Sequence, residues 1–240
     1  MARVRSLDFL PRLQAAALRV FGRQGLKHAR MSAIAKEMGV AHGSLYNYFE
    51  SKEALFYWLV NLGLEAPDGH AAESFPIRTQ PVDLLARRLR KQIGHTFALP
   101  SLDGALRRPG GDARTEFAAI LVELYERTLA TRLHAAAIER SAVEIPELFR
   151  VFFVEFRRSL LDRLSRYIQK RVETEHFVRV PDPGVAARYV VETITLFARH
   201  RFDDPDLPPG DEQAVRRTVV ELLVRSFVHE TAGSPRRKRG

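Results

Sequence analysis

The chain has 240 residues, enough for a small module beside a second domain with its own core, and it contains no cysteine. The missing cysteines exclude disulfides, thiolate nucleophiles and Cys-ligated zinc. The formal charge of +9 sits at the two ends: residues 1–58 hold nine Lys or Arg against four Asp or Glu, residues 59–230 hold 25 of each, and the last ten residues add Arg236, Arg237, Lys238 and Arg239 without an acid. A merely Arg-rich composition would not leave the middle neutral, so the N-terminal excess reads as a phosphate-binding surface. No apolar run approaches the roughly 18 residues of a membrane span. Asp8, Pro11 and Arg12 interrupt any signal-peptide core, so a soluble, cytoplasmic protein with no membrane partner is expected.

Taken in order, the chain reads as all-α. Leu13, Ala16, Ala17, Val20 and Phe21 form one stripe of a helix over residues 7–24, with Gly25 as its stop. Two short helices over residues 31–38 and 42–48 flank Gly39-Val40. A further helix starts at Lys52 with Leu55, Trp58, Leu59 and Leu62 on one face. Residues 67–81, with three prolines, read as a joint. Helices are then expected over 82–98, 114–142, 146–175, 183–201 and 211–229, with breaks at Pro100 to Gly111, Ile145-Pro146, Val180 to Pro183 and Asp203 to Gly210.

The run from Ser32 to Glu53 carries the most chemistry, in the layout of a helix-turn-helix. Ile34 and Met38 share the inner side of the first short helix, and Ala35 admits the second helix closely. Gly39 supplies a positive φ, and Val40 plugs the joint. Leu45 and Phe49 bury the inner face of the second helix. His42, Gly43, Ser44, Tyr46, Asn47 and Tyr48 are thereby left on or near the outer side, donors and aromatic hydroxyls suited to phosphates and base edges.

From Leu13 to Leu59 the chain resembles the DNA-binding domain of the tetracycline-repressor (TetR) family. The resemblance rests on Phe21 and Gly25, Ile34-Ala35, Gly39-Val40, Gly43-Ser44-Leu45-Tyr46, Tyr48-Phe49 and Lys52-Glu53-Ala54-Leu55. It covers about a fifth of the chain. It implies that His42, Gly43, Ser44, Tyr46, Asn47, Tyr48 and Lys52 face DNA, with phosphate contact at Ser44, Tyr46 and Lys52 and base readout at His42 and Asn47. Two positions depart from the family. Ala41 stands where a Ser or Thr usually caps the second helix, and Ala29-Arg30 stand where a Thr usually precedes the first. Each lost cap costs roughly 0.5–2 kcal/mol. Ser32 is an alternative cap, and Arg30 a charged phosphate contact.

The expected organisation is therefore an N-terminal helix-turn-helix domain (residues 1–66), a larger helical ligand-binding and dimerisation domain (67–230) and a basic disordered tail (231–240). The helix from Pro146 bears Phe149, Phe152, Phe153, Phe156, Leu160, Leu164, Tyr167 and Ile168, an apolar face too broad for one neighbour. By the resemblance, this region encloses a small-molecule pocket, with His95, Tyr125, His134, Phe152, Phe156, Arg157 and Tyr189 as candidates. Val185, Ala186, Tyr189, Val190, Thr193, Ile194 and Phe197 make a stripe on one late helix, and Val215, Val219, Leu222, Leu223 and Phe227 another. The resemblance makes these a four-helix dimer interface, carried by Tyr189, Thr193, Phe197, Val219, Leu222, Leu223 and Phe227. The alternative is that both stripes pack inside one subunit.

Eight scattered histidines in no ligand spacing, and the lack of a Gly-rich phosphate loop or nucleophile elbow, argue against an enzyme, a metal site or a cofactor. The reading is a homodimeric, ligand-responsive repressor of a pseudo-palindromic double-stranded DNA operator. The alternatives are an activator or ligand-independent regulator of the same fold, and a non-specific nucleoid or partner-binding protein.

Overall fold

Helix follows helix along the described residues, because the apolar stripes recur at helical spacing, and several of the breaks carry proline, glycine or a capping acid. The computed structural model describes residues 2–62, 75–96, 98–108, 111–202, 204, 206 and 210–229. The expected basic tail and residues 67–74 of the expected joint lie outside them, and of His95 only the backbone is described.

The elements are α1 (Ala2–His28), α2 (Met31–Met38), a 3-10 helix (His42–Asn47), α3 (Lys52–Leu62), α4 (Val82–Thr96), α5 (Pro100–Arg107), α6 (Ala113–Ala130), α7 (Arg132–Ala142) and α8 (Pro146–Phe149). A π-helical stretch (Arg150–Arg157), α9 (Arg158–Glu173), α10 (Pro183–Ala198), a second short 3-10 turn (His200–Phe202) and α11 (Glu212–Phe227) complete the order. Pro100 does not break the chain; it starts α5, since a proline at the first helical position gives up an N–H that has no partner there anyway. The helix expected over 114–142 is divided at Thr131. Asp182 and Asp211 cap α10 and α11 by accepting from Gly184 and Val185 and from Gln213.

The chain divides into two compact units. One comprises residues 1–98 and 131–158, and the other residues 99–130 and 159–240. The core of the first gathers Leu13, Ala17, Val20 and Phe21 of α1, Ile34 and Met38 of α2, Leu45, Phe49, and Leu55, Trp58 and Leu59 of α3, and continues into Leu89 of α4, Ile138 of α7, Leu148 and Phe152. The second unit is centred on Phe117, Tyr167, Phe177 and Phe227, whose touching rings have centroids 5.0–6.0 Å apart. Burying each such ring stabilises by about 1.5–3 kcal/mol. Beside them the almost fully buried Arg171 guanidinium pairs with Glu116, and Arg201 pairs with Glu212, which also accepts from Tyr125 Oη at 2.6 Å.

Candidate nucleic-acid interface

The turn between α2 and the 3-10 helix has the geometry its residues dictate. Gly39 adopts φ 69°, ψ 35°, the left-handed conformation that ends a helix, and its N–H and that of Val40 close on Lys36 O and Ala35 O. α2 is fixed to α1 from outside. Glu37 accepts from Arg19 at 2.9 Å and Arg23 at 2.8 Å, and these two guanidinium groups hold its carboxyl below its ordinary range.

The short helix expected over residues 42–48 is a 3-10 helix of residues 42–47. Ala41 precedes it and provides no side-chain cap, and with only six residues the tighter turns are not corrected by length. Arg30 likewise precedes α2 without a capping bond, and Ser32, which lies inside α2, does not replace it. Leu45 and Phe49 are fully buried, as their spacing predicts, while His42, Gly43, Tyr46 and Asn47 are exposed and Ser44 half-buried. The His42 and Tyr46 rings meet edge to face at 5.2 Å, so the two outermost side chains brace one another. Arg30 is exposed at the start of α2.

Two residues expected at the interface have structural partners. The Tyr48 ring stacks on Phe9 at 4.6 Å and meets the edge of Phe75 at 5.1 Å, which makes it half core. Lys52 Nζ donates to Lys27 O at 2.7 Å and to Ala29 O at 3.1 Å, satisfying carbonyls just beyond the α1 kink. A lysine carries three N–H donors, so one remains for another acceptor.

The kink falls at Gly25, with φ 72° and ψ 167° inside α1. A Cβ there would lie 3.3 Å from Arg140 O, so glycine is required both by conformation and by the approach of α7. Leu26 N–H, released from the helix at the kink, donates to Ser141 Oγ at 3.0 Å, and that hydroxyl donates to Ala137 O. Nearby, Gln14 Nε2 lies 3.4 Å from His134 Nε2, and burial pushes the His134 imidazole down to about 4.

One segment of the interface region was not legible in the sequence. Residues 75–79, placed in the expected joint, run beside the chain that leaves the 3-10 helix. Ile77 N–H donates to Tyr48 O at 2.8 Å, Glu50 N–H to Ile77 O at 3.0 Å and Thr79 N–H to Glu50 Oε2 at 2.8 Å. The Ser51 and Thr79 hydroxyls are 2.6 Å apart. Ile77 alone is half-buried between Phe75-Pro76 and Arg78-Thr79-Gln80, too short a pattern to announce a strand.

The expected pocket residues with described side chains fall in both units. His134, Phe152, Phe156 and Arg157 belong to the first; Tyr125 and Tyr189 belong to the second. Phe152 is core and Phe156 packs on it at 6.0 Å. Tyr125 is fully buried, and that burial together with Glu212 raises its phenol. Two open grooves on the first unit, of about 600 and 380 Å³, are lined around Pro146 and Arg150 by Val143, Phe149 and Val154 and by Arg87 and Arg90, and by none of the expected residues.

The dimer stripes are likewise redistributed. Val219, Leu223 and Phe227 are buried within the second unit, where Phe227 packs on Phe117 and Phe177, and so do not form an outer face. Thr193 and Phe197 are half-buried. The exposed apolar side chains are Val185, Tyr189 and Leu196 on α10 and Leu222 on α11, at 66, 52, 41 and 58 % exposure. Val185, Tyr189 and Leu196 recur at i, i+4 and i+11, a stripe one position out of phase with the buried one.

Residues 13–57 match the model of the bacterial regulatory proteins of the tetR family. A curated helix-turn-helix transcriptional regulator of Staphylococcus aureus (strain USA300) is 33 % identical over 54 residues, 22 % of this chain and 29 % of the relative. Over the whole chain the fold resembles the ketosteroid transcriptional regulator KstR2 of Mycobacterium tuberculosis, with a TM-score of 0.57, 16 % identity and coverage of 91 and 94 % of the two chains. It also resembles a bacterial regulatory protein in the tetR family from Rhodococcus RHA1, with a TM-score of 0.51, 18 % identity and coverage of 90 and 95 %. At such identities the likeness is one of fold.

Proposed function

We propose that this chain, whose residues 13–57 match the tetR family model, acts as a regulator of that family, a homodimeric, ligand-responsive repressor of a pseudo-palindromic operator. Residues 1–66 read DNA, residues 67–230 bind the effector and the second subunit, and the basic tail beyond residue 230 adds to the positive charge. The observation that carries this reading is the exposed set His42, Gly43, Tyr46 and Asn47, held over the buried Leu45 and Phe49. Asn47 and His42 offer groups for base edges, Tyr46, Ser44 and Arg30 reach phosphates, and Lys52 positions the interface while offering its remaining N–H to the backbone.

Two copies meeting through Val185, Tyr189, Leu196 and Leu222 present two such readers, and a two-fold protein calls for a two-fold operator. A small molecule releases the operator only if it binds unequally the states in which the two readers do and do not match the half-site spacing.

The test is titration of the full chain against a duplex selected from a random pool and against a random duplex, each at several salt concentrations. The selected duplex is expected to bind roughly a thousandfold or more tighter. Equal affinities with one common steep salt slope would mean backbone binding alone and would end the operator reading.

A further inference from the structure

We infer that residues 75–80 form a second, non-helical arm of the DNA interface and that Arg78 contacts a backbone phosphate flanking the bases read by the 3-10 helix. The inference rests on the DNA-binding reading above. The arm is held to the reader itself: the two backbone hydrogen bonds of Ile77 bracket Phe49, binding the segment to Tyr48 and Glu50, one and three residues beyond Asn47. This register settles which way Arg78 points. Ile77 packs against the core of the first unit, and in an extended segment successive side chains alternate, so Arg78 is directed to solvent.

Arg78 is exposed and has no ion-pair or hydrogen-bond partner among the described residues. The acid closest in the register, Glu50, is occupied by Thr79 N–H. Phe75 covers the Tyr48 ring, and the Ser51–Thr79 hydroxyl pair closes the other end of the arm. An arginine fixed beside the reader by main-chain bonds contacts phosphate at less entropic cost than one on a free loop, and it carries no base information.

The full chain and its Arg78→Ala and Arg78→Gln variants are titrated against a labelled random duplex and the selected duplex, each of about 30 base pairs, long enough for two half-sites one helical turn apart. Both variants are expected to bind both duplexes at least tenfold more weakly, and the slope of log affinity against log salt is expected to fall by about two, one for each subunit of the dimer. Arg78→Lys is expected to retain the slope, base preference is expected to be unchanged in all three, and Arg107→Ala in the second unit is expected to leave slope and affinity as they are. If the parent chain binds DNA with its salt dependence and Arg78→Ala matches it in affinity and slope, the arm is not an interface and the DNA reading survives. If Arg107→Ala lowers the slope as much, the effect is one of net charge and the assignment fails. If the parent chain binds neither duplex, both readings fall together.

Discussion

Asn47 ends the exposed face of the 3-10 helix, with a side chain that both donates and accepts, so it is the residue best suited to report on base identity. Replacing it with Ala is expected to remove about 1–3 kcal/mol of discrimination at one position of each half-site while leaving the salt slope intact, read by reselecting the operator with the variant. His134 shows the opposite kind of residue effect, one of stability. Its imidazole is kept neutral by burial, with a folded value of about 4 below the ordinary 6.5. A depressed histidine stabilises fully above its unfolded pKa, and that contribution is lost as pH falls towards the folded one. Urea unfolding should therefore show stability declining between pH 6.5 and 4 by as much as ~3 kcal/mol, with a flatter decline for His134→Gln.

At the scale of elements, the weak points are the two helix starts. The 3-10 helix lacks a side-chain cap because Ala41 has no oxygen to offer the N–H groups that follow it. Ala41→Ser is expected to stabilise the domain by roughly 0.5–2 kcal/mol in thermal unfolding, and unchanged stability would show that the tight turn leaves no orphan donor in reach. The buried faces of α1 and α2 were legible from spacing, whereas α3 is buried on every side from Ala54 to Val60, more than the one stripe expected of it. The boundaries between helices were less legible. Pro100 reads as a breaker in sequence but starts α5, and nothing local announces the turn at Thr131 within a continuous helical pattern.

At the scale of the whole molecule, the proposed dimer face and the core of the second unit use different residues of the late helices. Leu222 is exposed among Thr218, Arg225 and Ser226, whereas Phe227 is 4 % exposed and ringed by aromatics. Leu222→Glu is expected to yield monomers by sedimentation with the far-ultraviolet spectrum unchanged. Phe227→Asp is expected to lower the melting temperature sharply, because an unpaired carboxylate among rings is costly to bury. A Leu222→Glu protein that remains dimeric would place the interface elsewhere.

What the sequence determined by itself is the helix-turn-helix: Gly39, Leu45 and Phe49 form a local motif whose turn, inner face and outer face are dictated by residues within one short run. Helical class was determined the same way, by the periodicity of the apolar stripes and by the proline- and glycine-bearing breaks between them. Tertiary structure decided everything that depends on which of two stripes meets a neighbour distant in the chain. It turned Val219, Leu223 and Phe227 inward and Val185, Tyr189, Leu196 and Leu222 outward, and it drew Phe152 and Phe156 into the first unit's packing. It also laid Ile77 against Phe49, a pairing of main-chain groups that any residue type but proline can make, and so one that no side-chain pattern records.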